Sequence, residues 1–257
     1  MFTVDLRAIL VCVDYADLLA LTLPYNKHHF KEIAVVTASH DVETIGVCEK
    51  HADKVSLVHV TDEFYAHGAK FNKWKALEDA LDLFGRTGWM CVMDADVLWP
   101  KEFPDLLPRR GNLYTPLRRM MTDVKLPLPQ ESNWNRYPLH PQQREWAGYT
   151  QVFHSADPTL GKPPWHQLDW AHAGGADSFF QAKWNAQSKL RPPFEVLHLG
   201  EAGQNWCGRV SKRLDGSQDS RAGERYAALQ RFLSERNRAR RLGYPDPFAP
   251  ERVNLLD

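Results

Sequence analysis

The sequence lacks several features that would assign it to a specialised class of protein. Only four of its 257 residues are cysteines, and none of them forms a C-x-x-C pair, so neither a zinc ribbon nor a redox dithiol is indicated. No apolar run approaches the roughly 20 residues that span a bilayer. The N-terminal stretch carries an acidic residue where a secretion signal has only basic ones. These absences predict an ordinary globular protein of the cytoplasm.

An excess charge of either sign is also absent, because 32 Lys and Arg balance 32 Asp and Glu. The balance hides an asymmetry: residues 1–100 hold 9 basic and 15 acidic side chains, whereas residues 101–257 hold 23 and 17. A basic amphipathic helix predicted at about 219–241 contributes to the excess of basic residues in the second part of the chain. The favoured interpretation is that its charged side chains form a solvated helix surface. Attraction to a polyanion stays open as the alternative.

Four short apolar runs divide the first hundred residues. They are AILVCV at 8–13, IAVVT at 33–37, VSLVHV at 55–60 and WMCVM at 89–93. Continuous runs of this length, rich in Val and Ile, are typical of strands that are buried on both faces of a parallel sheet. Helical patterns lie between them; the clearest places five apolar residues at helical spacing before Gly85, namely Phe71, Trp74, Leu77, Leu81 and Phe84. The alternation predicts an α/β fold with a mostly parallel central sheet flanked by helices.

The pattern becomes irregular after Pro100. Residues 101–170 are rich in Pro, Arg and Trp, which predicts long loops over the edge of the sheet. Further elements are expected as a strand at 148–155, a helix at 175–187 and a strand at 194–200.

The fourth apolar run ends in two carboxylates, Asp94 and Asp96, in the stretch VMDADVLWP. On an extended segment, residues i and i+2 point to the same side, so both carboxylates can face one space. Carboxylate oxygens suit Mg²⁺ or Mn²⁺, and a metal held there can neutralise the charge on a departing diphosphate. The alternative is that Asp94 caps a turn and Asp96 is solvated.

The sequence resembles the nucleotide-sugar glycosyltransferases of the GT-A fold, in particular the small family-2-like enzymes. Five blocks in the order that the fold requires carry the resemblance over about 200 residues: LTLPYNKHHFKEIAVVTASHDVET (21–44), AKFNKWKAL (69–77), VMDADVLWP (92–100), GGADSFFQ (174–181) and VLHLGEAGQNWCGR (196–209). The resemblance implies one GT-A domain at 1–210, with a donor-binding half at 1–100 and an acceptor half at 101–210. The basic helical extension at 211–257 is expected to pack on the same domain.

The resemblance also implies roles for residues that contact the donor. Asp94 and Asp96 would reach the ribose and the diphosphate-bound metal, and His198 would be a further metal ligand; as an alternative, His198 is a hydrogen-bonded core residue. Thr37 and Asp41 would line a uracil pocket, although Asp41 can also cap the helix that follows.

Asn72 and Lys73 resemble a polar pair that contacts the donor before the metal motif. The family usually has glycine after this lysine, whereas this sequence has Trp74. An alternative for Lys73 is a surface lysine on an amphipathic helix.

Asp177 matches the acidic residue that takes the proton of the acceptor hydroxyl in inverting relatives. The physical need is a base within hydrogen-bond reach of a poor nucleophile. Two alternatives stay open. In one, Asp177 is the N-cap of a helix at 178–187; in the other, the enzyme retains configuration and needs no base at this position.

Two further patterns have both a ligand-binding and a packing interpretation. His166, Asp169 and His172 recur every three residues along a possible helix, but a packed loop is favoured over a zinc site because no thiol assists. Trp170, Trp184 and Trp206 could stack on a sugar or base, although core positions are more common for tryptophan.

The combined prediction is a glycosyltransferase that depends on Mn²⁺ or Mg²⁺ and moves a sugar from a nucleotide sugar, expected to be a UDP-sugar, to a hydroxyl acceptor. The acceptor could be a glycan, a small molecule or a hydroxylated DNA base, as in phage-type DNA modification. Two other functional classes are open: a metal-dependent nucleotidyltransferase and a non-catalytic nucleotide-sugar binding protein. A nucleotidyltransferase normally has a glycine-rich phosphate loop after the first strand, and the stretch VCVDYADLL (11–19) contains no glycine. Glycoside hydrolysis is disfavoured, since an i, i+2 pair cannot flank a bond from opposite sides.

Overall fold

A computed structural model describes residues 1–141, 148–201 and 203–242 of the chain. The strands are β1 (Leu6–Val11), β2 (Glu32–Thr37), β3 (Val55–Val60), β4 (Trp89–Asp94), β5 (Val97–Leu98), β6 (Leu113–Tyr114), β7 (Leu117–Met121), β8 (Thr150–His154), β9 (Lys189–Leu190) and β10 (Glu195–Leu199). The α-helices are α1 (Ala16–Asn26), α2 (Val42–Glu49), α3 (Lys73–Phe84), α4 (Ala176–Gln181) and α5 (Ala222–Arg241).

Seven strands form the central sheet in the order β3-β2-β1-β4-β8-β6-β9. The first four are parallel, β8 runs antiparallel to both β4 and β6, and β9 is parallel to β6. The predicted α/β fold with a mostly parallel central sheet flanked by helices is therefore confirmed. The four predicted N-terminal strands are all present, and they bring their carboxyl ends to one edge of the sheet.

Strands β1, β2 and β4 are buried on both faces, which explains their continuous apolar runs. The expectation of two buried faces is wrong for β3, because β3 is the edge strand and only its Val55 is buried. In β1, Ile9 packs with α3 on one face, while Leu10 packs with Leu19 of α1 on the other. In α3, the predicted apolar stripe is buried, and the helix ends at Gly85, whose φ of +86° suits glycine. The helix begins at Lys73, so Phe71 precedes it and Asn72 is its N-cap.

A second sheet of three strands, in the order β5-β10-β7, explains why the sequence becomes apolar again after Asp96. Strand β5 pairs antiparallel with β10 at Val97 and Leu98, which are buried. Trp99 is fully buried against Phe30 and Phe194. The two carboxylates therefore sit in a polar interruption between two core segments.

Two further expectations about local structure are wrong, and a third pattern has no helical basis. Asp96 is not on an extended segment, because β4 ends at Asp94 and a turn joins it to β5. The helix expected at 175–187 is shorter: α4 ends at Gln181, and a separate 3-10 turn covers Ala186–Ser188. Residues 166–172 form no helix, so the three-residue spacing there has no helical meaning.

The C-terminal helix α5 packs on the rest of the chain. Its buried Ala228, Leu229 and Phe232 form a small core with Cys207. The Phe232 ring also lies 3.8 Å from the ring of His172, measured between centroids. The last part of the extension expected at 211–257 lies outside the described residues from 243 onwards. Within the described residues, no helix has the length and apolarity needed to cross a bilayer.

Candidate active site

A cleft of about 720 Å³ opens at the carboxyl ends of β1 and β4. This is the edge at which parallel α/β sheets bind ligands. Five of the predicted site residues line the cleft: Lys73, Asp94, Asp96, Asp177 and His198. They come from α3, the end of β4, the following turn, α4 and β10, so the fold brings together side chains that are up to 125 positions apart in the chain.

Asp94 and Lys73 form an ion pair inside the cleft. The Lys73 ammonium lies 3.0 Å from the Asp94 carboxylate and also over the Trp74 ring, 4.6 Å from its centroid. Trp74 is fully buried and stacks on His166. Trp74 therefore holds the start of α3 in the core while Lys73 reaches the cleft.

Asp96 and His198 face each other across the turn after β4. His198 Nε2 lies 3.7 Å from Asp96 Oδ1, which is too long for a hydrogen bond and short enough for both atoms to contact one cation. Asp96 Oδ1 and His198 Nδ1 are buried, and neither has a hydrogen-bond partner among the described residues. Burial raises the pKa of Asp96, an effect that His198 opposes. Because an unpaired buried carboxylate oxygen is costly, the pair fits a bound divalent cation.

The described residues do not enclose a complete metal site. No three Asp, Glu, His or Cys side chains in residues 1–141, 148–201 and 203–242 already converge as a ligand set. The reason at this site is that Asp94 is engaged by Lys73, which leaves Asp96 and His198 as the two converging side chains. Such an incomplete set suits Mg²⁺ or Mn²⁺, which keep water and take phosphate oxygens as ligands.

Asp177 faces the same cleft from the first turn of α4. Its Oδ2 accepts a hydrogen bond of 2.6 Å from the Gly148 backbone N–H, and its Oδ1 accepts one of 3.0 Å from Ser178 N–H. A Cβ atom at Gly148 would lie 2.7 Å from the Asp177 Cβ, so only glycine allows this approach. The N-cap of α4 is Gly175, with a φ of +96°, and not Asp177. The alternative that made Asp177 the cap of a helix at 178–187 is therefore wrong.

Thr37, Asp41 and Asn72 lie near this edge of the sheet but do not line the cleft. Asp41 caps α2 through Thr44 and accepts a 2.7 Å hydrogen bond from the Asp14 backbone N–H. Asn72 caps α3 and donates to the Leu168 carbonyl. All three are buried, so in this structure their polar groups shape the loops around the cleft. Their direct contact with a donor stays a prediction.

Of the three tryptophans considered for ligand stacking, only Trp206 lines the cleft. Its ring covers Gly174 so closely that any side chain at that position would collide with it. Trp170 and Trp184 are buried. His166 is also buried and bonded to Glu78 at 2.6 Å, while His172 packs beside Trp206 and Phe232, which leaves no histidine cluster for zinc.

The structure adds residues that the sequence analysis did not single out. Arg209 is buried, pairs with Asp17, donates to the Asp14 carbonyl and stacks over the Tyr15 ring at 4.6 Å. Arg118, His140 and Lys189 also line the cleft. Arg209 belongs to the NWCGR stretch that carries part of the family resemblance. Arg118 and Lys189 belong to no motif, so the sequence does not distinguish them from the many other Lys and Arg residues after position 100.

Comparison with known proteins gives distant likenesses only. No family model matches the chain, and no curated protein matches it. Among solved structures, glucosyl-3-phosphoglycerate synthase from Mycobacterium tuberculosis, in complex with Mn²⁺, UDP and glucosyl-3-phosphoglycerate, is 12% identical, covers 95% of this chain and 81% of that chain, and has a TM-score of 0.45.

Two further solved structures match more weakly. A protein assigned as a glucose-1-phosphate thymidylyltransferase from Bacillus anthracis is 12% identical, with 62% of this chain and 76% of that chain covered and a TM-score of 0.36. Mannose-6-phosphate isomerase from Helicobacter pylori is 11% identical, with 61% and 73% covered and a TM-score of 0.33. Scores of this size describe a remote similarity in chain trace and decide nothing about the reaction.

Proposed function

We propose that the protein is a metal-dependent glycosyltransferase of the GT-A type that moves a sugar from a nucleotide sugar, expected to be a UDP-sugar, to a hydroxyl group. One observation carries the proposal: Asp94 and Asp96 share a cleft at the carboxyl edge of the sheet with Lys73 and His198, and Asp177 faces the same cleft. Cation-binding groups and a candidate base are therefore within one volume large enough for a nucleotide sugar.

The donor end of the cleft is assigned to Lys73, Asp94, Asp96 and His198. Asp96 and His198 would hold Mn²⁺ or Mg²⁺, with Asp94 reaching the ribose or the metal once Lys73 turns toward a phosphate. When bound, the metal supplies positive charge that stabilises the departing nucleoside diphosphate. Lys73 sits beside Asp94 and can add a second positive charge to the same leaving group.

The acceptor end is assigned to Asp177. Each of its carboxylate oxygens accepts one backbone N–H and keeps a further lone pair, so the group can take the proton of an acceptor hydroxyl while its orientation is fixed. The acceptor oxygen then forms a bond to the anomeric carbon as the bond to the diphosphate oxygen breaks. A base on the acceptor side is what an inverting displacement requires.

The proposal is tested by incubating the protein with a panel of nucleotide sugars and measuring nucleotide release with Mn²⁺, with Mg²⁺ and with a chelator. We expect release from one uridine donor in the presence of metal and its loss on chelation, followed by restoration on adding Mn²⁺. Absence of release from every donor, or release that chelation leaves unchanged, would refute metal-dependent glycosyl transfer. A nucleoside triphosphate in the same panel tests for nucleotidyl transfer instead.

A further inference from the structure

Two cations in the cleft have no carboxylate in direct contact among the described residues, although Arg118 is close enough to Asp96 to oppose the burial that raises the pKa of that carboxyl. Five Lys and Arg side chains line the cleft: Lys73, Arg118, Lys189, Arg209 and Arg236. Lys73 pairs with Asp94 and Arg209 with Asp17. In contrast, no carboxylate of the described residues lies within 4.0 Å of the charged groups of Arg118 or Lys189. Partly buried cations without a counter-ion are unfavourable, so these two side chains mark a place where a bound anion would stabilise the cleft.

Arg118 is held in place by an aromatic ring. Its guanidinium carbon lies 4.5 Å from the centroid of Tyr149, whose ring is buried and whose hydroxyl donates to the Pro116 carbonyl. A guanidinium that stacks through its flat face still presents N–H groups at its edge, and that edge matches two oxygens of a carboxylate or phosphate. Arg118 is therefore positioned for anion binding without being paired.

Lys189 is held in place by a neutral group. Its ammonium donates a 2.6 Å hydrogen bond to the side-chain oxygen of Gln181, whose amide nitrogen donates to the Ser178 carbonyl at 2.9 Å. The second hydrogen bond fixes the orientation of the amide, so its oxygen faces the lysine. An amide oxygen orients an ammonium without cancelling its charge, which leaves Lys189 able to bind an anion.

Tyr149 and Gln181, which hold Arg118 and Lys189 in place, are both linked to Asp177. Tyr149 follows Gly148, whose N–H donates to Asp177, and Gln181 lies one helical turn after Asp177 in α4. On the basis of the proposed function, we propose that Arg118 and Lys189 bind an oxyanion of a small acceptor, a carboxylate or a phosphate, close to the hydroxyl that Asp177 activates. The acceptor is then an acidic hydroxy compound and not a neutral sugar.

The test uses inorganic phosphate and acetate as probes in calorimetric titrations of the whole protein. We expect saturable binding of at least one probe, weakened at least tenfold in Arg118→Ala and in Lys189→Ala. The matched control is Lys183→Ala, which removes an exposed lysine near the end of α4 with the same change in charge. Titration of UDP with Mn²⁺ into each variant should give affinities within twofold of the wild type.

The outcomes separate this proposal from the proposed function. Equal probe binding in the wild type and both variants would overturn the anion site even if UDP binds. Loss of UDP affinity in parallel with probe affinity would overturn it too, because the two cations would then serve the donor diphosphate. Failure of UDP to bind the wild type, with probe binding still dependent on Arg118 and Lys189, would reject the glycosyltransferase but retain the anion site. If a short single-stranded oligonucleotide binds more tightly than phosphate and acetate, and does so through Arg118 and Lys189, the proposal of a small acceptor is overturned in favour of a polynucleotide.

Discussion

At the scale of single residues, Asp96 is the strongest candidate for a metal ligand. Its Oδ1 is buried and has no hydrogen bond among the described residues, although His198 lies 3.7 Å away. We expect Asp96→Asn to keep the fold and lower metal-dependent donor turnover by about 10³-fold or more, because a neutral amide is a weaker ligand of the same volume. The measurement is nucleotide release across a Mn²⁺ titration.

The matched control for this variant is Asp123→Asn, since Asp123 is an exposed carboxylate that pairs with Lys125 at the surface. Turnover by Asp96→Asn equal to that of the control would remove the metal site from this position.

Asp177 is expected to act at a different step. Asp177→Asn keeps an oxygen that can accept the Gly148 N–H but loses the basic lone pairs, so transfer should fall by about 10²-fold or more while donor affinity stays within twofold. The two quantities are kcat for transfer and the Kd for UDP with Mn²⁺. A parallel loss of donor affinity would assign Asp177 a structural role, and the exposed Asp169→Asn provides the comparison.

At the scale of elements, a buried ionic group joins α3 to the loop before α4. Glu78 accepts hydrogen bonds from the backbone and ring of His166 and pairs with Arg86 at 2.8 Å. The His166 ring stacks between Trp74 and Phe180, so α3 and α4 are fixed relative to each other. Burial opposes ionisation of Glu78, but the partners outweigh burial, and its pKa is lowered from the ordinary value of 4.5.

We expect Glu78→Ala to lower the free energy of unfolding by about 3–5 kcal/mol, because it leaves Arg86 without its buried partner. Asp82→Ala removes the exposed partner of the same arginine and should cost less than about 1 kcal/mol. Denaturant unfolding measures both. Since the folded pKa is depressed, the contribution of Glu78 is present above pH 4.5 and declines as the pH falls through the folded pKa. A small, pH-independent effect of Glu78→Ala would contradict this account.

Elements differ in how far the sequence could predict them. The runs at 33–37 and 89–93 match β2 and β4 closely, because strands buried on both faces have no polar interruption. The run at 55–60 also matches β3 in extent, although β3 lies at the sheet edge and only its Val55 is buried. Asp94 and Asp96 could be placed in a cleft because the ends of parallel strands share one edge. Glu78 could not be recognised as buried, since its partner His166 comes from a loop 88 positions later in the chain. Arg118 and Lys189 likewise acquire meaning only when Tyr149 and Gln181 are seen beside them.

At the scale of the whole molecule, the C-terminal segment is tied to the start of the chain. Arg225 of α5 lies 2.7 Å from Asp14, which follows β1 with a φ of +64° and also contacts His40 at 3.1 Å. Arg209 makes a similar link to Asp17. The loop that begins the donor side of the cleft is therefore held by residues about 200 positions later.

We expect Arg225→Met to lower the free energy of unfolding by about 1.5–3 kcal/mol, the range for hydrogen bonds to charged groups, and the melting temperature by several degrees. Thermal unfolding measures the effect. Arg238→Met, at an exposed position of the same helix, should leave the melting temperature unchanged. Equal melting temperatures for the two variants would mean that α5 adds no stability through Asp14.

The four cysteines are all free and all buried, and burial raises the pKa of each thiol, to about 12 for Cys48. Alkylating reagents attack thiolates, so the folded protein should resist them at neutral pH. Cys12 and Cys91 report on the central sheet, Cys48 on α2, and Cys207 on the contact with α5. The four thiols therefore report on the unfolding of different regions of the chain. If Cys207 is modified before the other three, the C-terminal helix separates from the rest of the protein before the central sheet unfolds, and no added label is needed to detect it.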